Sequence, residues 1–270
     1  MFDRGIEIKT PAQIETMRQA GLVVGRTLEL LRTTAAAGMT TAELDAVAHE
    51  HIRSQGATSN FLGYHGFTGV ICTSVNDEVV HGIPGPRVLR DGDVISIDCG
   101  AIVDGWHGDA AITIAIGDVP EEVTELMRVT EDAMWRGIAA ARLGGRVSDI
   151  SHAIETSIDA AGDYGIVEGY TGHGIGSAMH QPPDVHNFGR PRRGPRLVQG
   201  LALAVEPMVT LGTAQTRTLA DDWTVVTTDG SWAAHFEHTF TLTETGAWVL
   251  TALDGGRARL AELGVPYGGH

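Results

Sequence analysis

The 270-residue chain is poor in three things, and each shortage excludes something. Its two cysteines, Cys72 and Cys99, are too few for a disulfide framework or a cysteine-rich zinc site. Reduced thiols and a cytoplasmic location are therefore expected. Lys9 is the only lysine, and 19 basic residues face 34 acidic ones. The resulting net charge of −15 argues against a general affinity for nucleic acid or anionic membrane. No window is an uninterrupted apolar run of spanning length, and residues 1–7 lack the apolar core of a secretory leader. No membrane partner is expected.

What the chain does have is organised around residues 95–101 and their return, 108–113. The first run is β-branched and apolar with Asp98 at its centre, and the second carries Asp109. Between them Asp104-Gly105 is the strongest short-range hairpin signal. A two-residue loop there pairs Val103 with Trp106 and makes Asp98 and Asp109 diagonal neighbours on one face. Two carboxylates converging among apolar flanks repel, and burying them unpaired costs several kcal/mol or forces protonation. A cation between them removes the conflict.

Thr10-Pro11-Ala12-Gln13 is a capping box with proline at the first helical position. Ile14, Met17, Gly21, Val24, Leu28 and Leu31 then follow at helical spacing, predicting a helix to about Arg32. A second helix is expected from Thr40 to about Gly56, with Glu43 completing its cap. Residues 60–69 read as a glycine- and aromatic-rich loop, and 70–75 and 79–80 as short strands. The order then repeats. Asp118-Val119-Pro120-Glu121 caps a long helix, Gly144-Gly145 breaks it, and Ser148 starts another that stops at Gly162. Strands are expected at about 202–209, 223–227, 235–243 and 248–250. The reading is one α+β catalytic domain over 1–270, with a core of about 10–250 and terminal extensions at 1–9 and 252–270. Two pseudo-symmetric helix-helix-strand-strand halves would hold the site between them.

Four further residues carry donor groups at special places. His173 stands in Gly172-His173-Gly174-Ile175-Gly176, a loop where backbone can approach a ligand closely. Glu206 ends an apolar run before Pro207, Glu237 sits in an alternating strand, and His81 ends a strand before a rigid loop. Each alone is more simply a satisfied or solvated residue. Together with the aspartates, Glu206, Glu237 and the glycine-flanked His173 make an oxygen-rich set with one imidazole, which suits Mn(II), Fe(II) or Co(II) better than structural zinc. The four carboxylates also carry enough charge for two divalent ions about 3.5–4 Å apart.

Asp98, Asp109, His173, Glu206 and Glu237, with His81-Gly82-Ile83-Pro84 and the 172–176 loop, resemble the type I methionine aminopeptidases of the pita-bread fold. The resemblance runs from about Thr10 to Leu250. The 33 residues from His173 to Glu206 leave no room for the helical insertion of the type II enzymes, and no amino-terminal zinc-binding extension is expected. The resemblance implies that Asp98 chelates one metal ion, His173 and Glu206 the other, and that Asp109 and Glu237 bridge. A water between the ions would attack the scissile carbonyl with Glu206 as general base. His81 and His180 would bind the substrate amide and stabilise the tetrahedral intermediate. Tyr64, Phe67, Cys72 and Trp223 would line the methionine pocket, and the enzyme would be a monomer acting on N-terminal methionyl peptides and nascent chains. Met179 stands where an aromatic residue is common, and Phe61 where a smaller residue or cysteine occurs, so both alter the pocket.

Two alternatives stay open at this point. One is a sibling on the same scaffold, an Xaa-Pro aminopeptidase, prolidase or creatinase-type enzyme, of which the first two usually carry an extra amino-terminal domain. The other is a metal-free pita-bread module that binds peptides. Residues 188–196 add a basic loop on an acidic chain. It reads first as a solvated surface loop, and secondly as a contact for ribosomal RNA.

Overall fold

The computed structural model describes residues 5–270. Helices α1 (Pro11–Thr34) and α2 (Thr41–Ser54) lead into β1 (Thr58–Ser59), a short 3-10 turn, β2 (Ile71–Val75) and β3 (Glu78–Val80). The hairpin β4 (Val94–Val103) and β5 (Trp106–Ala115) follows, then α3 (Glu121–Ala140) and α4 (Val147–Ala161). The second run of strands comprises β6 (Gly165–Ile166), β7 (Gly172–Gly174), β8 (Gln181–Val185), β9 (Ala202–Val205), β10 (Met208–Thr210), β11 (Thr216–Thr218) and β12 (Val225–Thr227). It ends with β13 (Ala233–His235), β14 (Glu237–Leu242), β15 (Ala247–Val249) and a short α5 (Arg257–Glu262). Nine strands form one antiparallel sheet along β1-β4-β5-β14-β9-β7-β8, with β2 on β4 and β15 on β14. The remaining strands form two three-stranded sheets, β13-β10-β6 and β11-β12-β3.

The hairpin has the expected register: Val103 pairs with Trp106, Asp98 with Ala111 and Gly100 with Asp109. Asp104 (φ 47°) and Gly105 (φ 79°) are both left-handed, as a type I′ turn requires. Both early helices open on capping boxes, Thr10 with Gln13 and Thr40 with Glu43. The later pair starts differently. Pro120 is the N-cap of α3 and no side chain caps it, so Asp118 does not play the expected part. Helix α4 begins at Val147, one residue before Ser148, because the Arg146 N–H donates to the Asp149 carboxylate at 2.8 Å. Ser148 instead accepts from the Arg193 N–H.

Helix α1 crosses the hairpin at backbone contact. A Cβ on Gly108 would overlap the main chain of Gly21, and one on Gly21 would overlap the Leu250 carbonyl, so glycine is required at both. The segments flanking residues 10–250 pack back on the body. Lys9 donates its N–H to the Gly200 carbonyl, and Glu7 accepts from the Ser177 amide and hydroxyl. At the other end Gly268 donates to the Ala247 carbonyl.

The strands expected at 202–209 and 235–243 are each broken once, at Glu206-Pro207 and at Phe236. Both halves nevertheless keep one register: Val205 pairs with His238 on β9–β14, and Met208 with His235 on β10–β13. The ladder changes sheet where Pro207 has no N–H to give. Glu206 and Glu237 sit at that bend.

Candidate metal centre

Adjacent strands set the acidic residues in a row. Cys72 on β2 faces Asp98 on β4, Asp98 faces Ala111 on β5, and Ala111 faces Glu237 on β14. The β9–β14 register, carried one residue past β9, sets Glu206 opposite Glu237. Asp109 lies one row along, opposite Gly100, on the same face as Ala111. The backbones of Asp98 and Glu237 are two strand spacings apart, about 9.6 Å. Alanine between them leaves room for side chains to converge, while the space over Gly100, opposite Asp109, holds the Asn60 side chain.

His173 lies on a strand, β7, rather than in the loop expected from its glycines. Those glycines serve pairing: a Cβ on Gly172 would overlap the Ala204 carbonyl, and one on Gly174 the Pro182 carbonyl. His173 Nδ1 is 3.0 Å from the Gly174 carbonyl, so Nδ1–H donates and Nε2 keeps its lone pair. Nε2 faces Glu206 Oε1 at 3.5 Å. Ligand atoms of Asp109, His173 and Glu237 all lie within 4.8 Å of one another. Asp98 Oδ1, Asp109 Oδ1 and Glu237 Oε1 are buried with no hydrogen-bond partner among the described residues. Three unpartnered buried anionic oxygens beside a free imidazole lone pair fit a divalent cation.

The protonation states agree. Burial raises the Asp98 carboxyl to about 7, with the Glu206 charge adding and His235 opposing. Burial lifts Glu206 to about 8, and lifts Asp109 and Glu237 well above the carboxylate range with help from neighbouring carboxylates. Burial also lowers His173 to about 3 and His81 to about 4, with repulsion from His180 on both. The imidazoles are thus neutral, and the carboxylates lack compensating positive charge.

A cavity of about 180 Å³ opens on this row. Phe61, Phe67, Cys72 and Met179 form an apolar cluster of their own on its wall, with Tyr64 and Trp223 packed against it. Trp223 meets Phe67 edge-on at 5.0 Å. Tyr64 Oη lies 2.8 Å from His180 Nδ1, and the His180 ring is 4.4 Å from that of His173. His81 reaches the cavity from a left-handed backbone (φ 62°), a strained conformation for a non-glycine residue. Every side chain singled out from the sequence for the site reaches this one cavity.

The pattern of metallopeptidase family M24 matches residues 15–244. The chain belongs to metallopeptidase family M24. It is 51% identical over 247 residues to the methionine aminopeptidase of Clostridium acetobutylicum, covering 91% of this chain and 98% of that one. It is 49% identical to methionine aminopeptidase 1 of Bacillus subtilis, covering 90% and 98%. The crystal structure of the Thermotoga maritima methionine aminopeptidase superposes with a TM-score of 0.90 at 40% identity, over 92% of this chain and 99% of that one. The prolidase of Pyrococcus furiosus shares the fold at a TM-score of 0.72 and 20% identity, but this chain covers only 65% of it. The architecture is the pita-bread fold of M24, a curled antiparallel sheet with paired helices.

Two residues beside the cavity and the carboxylate row escaped the sequence reading. His65 lines the cavity from the loop after Tyr64. His235 lies 3.5 Å from Glu206 through its Nε2. Its one sequence signal was its parity with Glu237, two residues on. No helix among the described residues is long and apolar enough to cross a membrane.

Proposed function

We propose that the protein is a methionine aminopeptidase that removes the N-terminal methionine from peptides and nascent chains with a small, uncharged second residue. The observation that carries this reading is a carboxylate row with one bare imidazole nitrogen, ending at an aromatic-walled cavity, in a chain about half identical to methionine aminopeptidases. Asp98, Asp109, His173, Glu206 and Glu237 would hold two divalent ions, Co, Mn or Fe. Bound there, the ions offset the carboxylates, polarise a carbonyl and acidify water.

The chain's own groups supply the rest. Glu206 takes the proton of the attacking water and passes it to the leaving amine. His81 and His180, both held neutral, donate hydrogen bonds to the scissile amide and to the oxygen on which negative charge develops. Tyr64 orients His180 through Nδ1. Phe67, Cys72 and Trp223, with Phe61 and Met179, take the thioether side chain, which packs well against aromatic edges. A cytoplasmic location fits the free, buried Cys72 and Cys99.

Release of free methionine from Met-Ala-led against Met-Arg-led peptides tests the reading, with strong preference for alanine expected. Removal of first residues other than methionine rejects it. The prolidase-type reading and the inert binding module are disfavoured by the identity to methionine aminopeptidases over nearly the whole chain.

A ribosomal contact through residues 190–196 remains part of the proposal. Arg190, Arg192, Arg193 and Arg196 are exposed, and none forms an ion pair among the described residues. The loop backbone is braced by Asp149 and Ser148 at the start of α4. Salt-sensitive co-sedimentation with ribosomes, lost in the double variant Arg192→Glu/Arg193→Glu, is expected. Binding unchanged by that variant removes the loop from the account.

A further inference from the structure

His235 is 1% exposed and ends β13, where its backbone is fixed on both sides. Its N–H donates to Thr113 Oγ1 at 2.9 Å, and the Thr113 hydroxyl donates back to the His235 carbonyl at 2.7 Å. The single Thr113 proton being used there, Ser96 Oγ must donate to Thr113 at 2.8 Å. Thr113 on β5, backed by Ser96 on β4, thus holds this one backbone position. Met208, its β10 partner, closes the other edge.

The imidazole that this scaffold carries has a buried Nε2 with no hydrogen-bond partner among the described residues. It points at Glu206 Oε2, 3.5 Å away. The other Glu206 oxygen, Oε1, lies 3.5 Å from His173 Nε2. The Glu206 carboxylate therefore sits between two imidazole nitrogens, and takes no hydrogen bond from any described residue. Its main chain is held instead, by Asn187 Nδ2 at 3.1 Å on its carbonyl. The two oxygens differ in what faces them. Nδ1 of His173 gives its proton to Gly174, so His173 presents a lone pair to the space beside Oε1. His235 Nδ1 forms no such bond among the described residues, which leaves Nε2 free to carry the proton and donate. The gap of 3.5 Å exceeds a formed hydrogen bond by about 0.5 Å, and catalytic hydrogen bonds are commonly long before the site is loaded.

We propose that His235 is a positioning residue for Glu206: its Nε2–H holds Oε2 and stops the carboxylate rotating, so that Oε1 stays with His173. This inference rests on the reading of Glu206 as metal ligand and general base. A carboxylate oxygen has a second lone pair, so Oε2 can take the N–H and still accept the proton of the water. A neutral imidazole achieves this without adding charge to a site already built from four carboxyls and His173. A residue in this place is outside the cavity lining and acts on the reaction only through the Glu206 carboxylate it holds.

The test compares His235→Phe, which fills the space without a donor, with His235→Gln, which restores an N–H. Each is followed by peptide kinetics and by calorimetric titration of the chelated protein with Mn(II). Losses of about 10–100-fold are typical when a group orienting a metal ligand is removed. His235→Phe is expected to lower kcat by that factor with KM within about twofold and the number of Mn(II) equivalents unchanged, and His235→Gln to recover most of kcat. In 15N spectra of the wild-type protein, His235 is expected as the Nε2–H tautomer, a readout independent of turnover. Wild-type kcat in His235→Phe overturns the proposal. So does loss of a Mn(II) equivalent, which would make His235 a ligand, or an Nδ1–H tautomer in the wild type. Failure of the underlying reading looks different: Glu206→Gln would then keep wild-type turnover, whatever the His235 variants do.

Discussion

Asp109 is buried on a strand between two others, and one of its oxygens has no hydrogen-bond partner among the described residues. Its amide and carbonyl are held by Thr239 Oγ1, so its backbone does not depend on the carboxylate. Asp109→Asn should therefore keep the fold and lower turnover at least about 100-fold, since loss even of a group behind a ligand costs 10–100-fold. Near wild-type turnover in that variant would undo the assignment of Asp109 as a bridging ligand. Lys9 is the reverse case, a buried charge on the structural side. Its ammonium is buried, and burial lowers it to about 8 against the pull of Glu7, 3.6 Å away. The folded chain thus resists carrying this charge, so Lys9→Met should raise stability at pH 7 by about 1–3 kcal/mol. Between about pH 8 and 10.5 the native lysine loses its proton before the unfolded one does, and the advantage should shrink. Denaturant unfolding at pH 7 and pH 10 measures both; a destabilised Lys9→Met protein at pH 7 would show that the Glu7 ion pair outweighs the burial.

At the scale of elements, the α1–hairpin crossing depends on bare backbone at Gly21 and Gly108. Gly21→Ala would put a methyl into the Leu250 carbonyl and should cost about 1–3 kcal/mol by overpacking, despite alanine's better helix propensity. A chemical-denaturation midpoint equal to wild type would mean that the crossing gives way more easily than its spacing suggests. The hairpin itself was fully legible in the sequence, because Asp104-Gly105 sets a local register and the register sets the face of both aspartates. The capping boxes at Thr10 and Thr40 were legible for the same local reason. What could not be read was long-range. Glu237 meets Ala111 across 126 residues of chain, and nothing local fixes that pairing. His173 looked like a loop residue because glycine is a breaker in isolation, whereas here Gly172 and Gly174 admit neighbouring carbonyls. The break at Pro207 was visible, but that the strand continues in register in a second sheet was not. His235 was overlooked because its value depends on that continuation.

For the whole molecule, the electrostatic design couples metal content to stability. The carboxyls of Asp98, Asp109, Glu206 and Glu237 are all raised above their unfolded values, with Asp98 at about 7 and Glu206 at about 8. The buried histidines are lowered, so above about pH 6.5 they are neutral folded and unfolded alike. In the window from about pH 6.5 to 8 the metal-free folded protein therefore binds more protons than the unfolded chain, and its stability falls as pH rises. Its Tm should drop across that window, and a divalent cation should restore it most at the alkaline end. A flat profile without metal would mean that the carboxylates are already compensated.

The proposed function requires the carboxylate row and its aromatic cavity to release methionine only when a divalent metal is bound. The most direct measurement is the release of free methionine from Met-Gly-Met-Met by the chelated protein, before and after restoring Mn(II), Fe(II) or Co(II), beside Xaa-Pro peptides as controls. No release after chelation, and single-residue release of methionine on restoring metal, is the expected result. Cleavage at Xaa-Pro bonds, or silence with every metal in a folded protein, would contradict it.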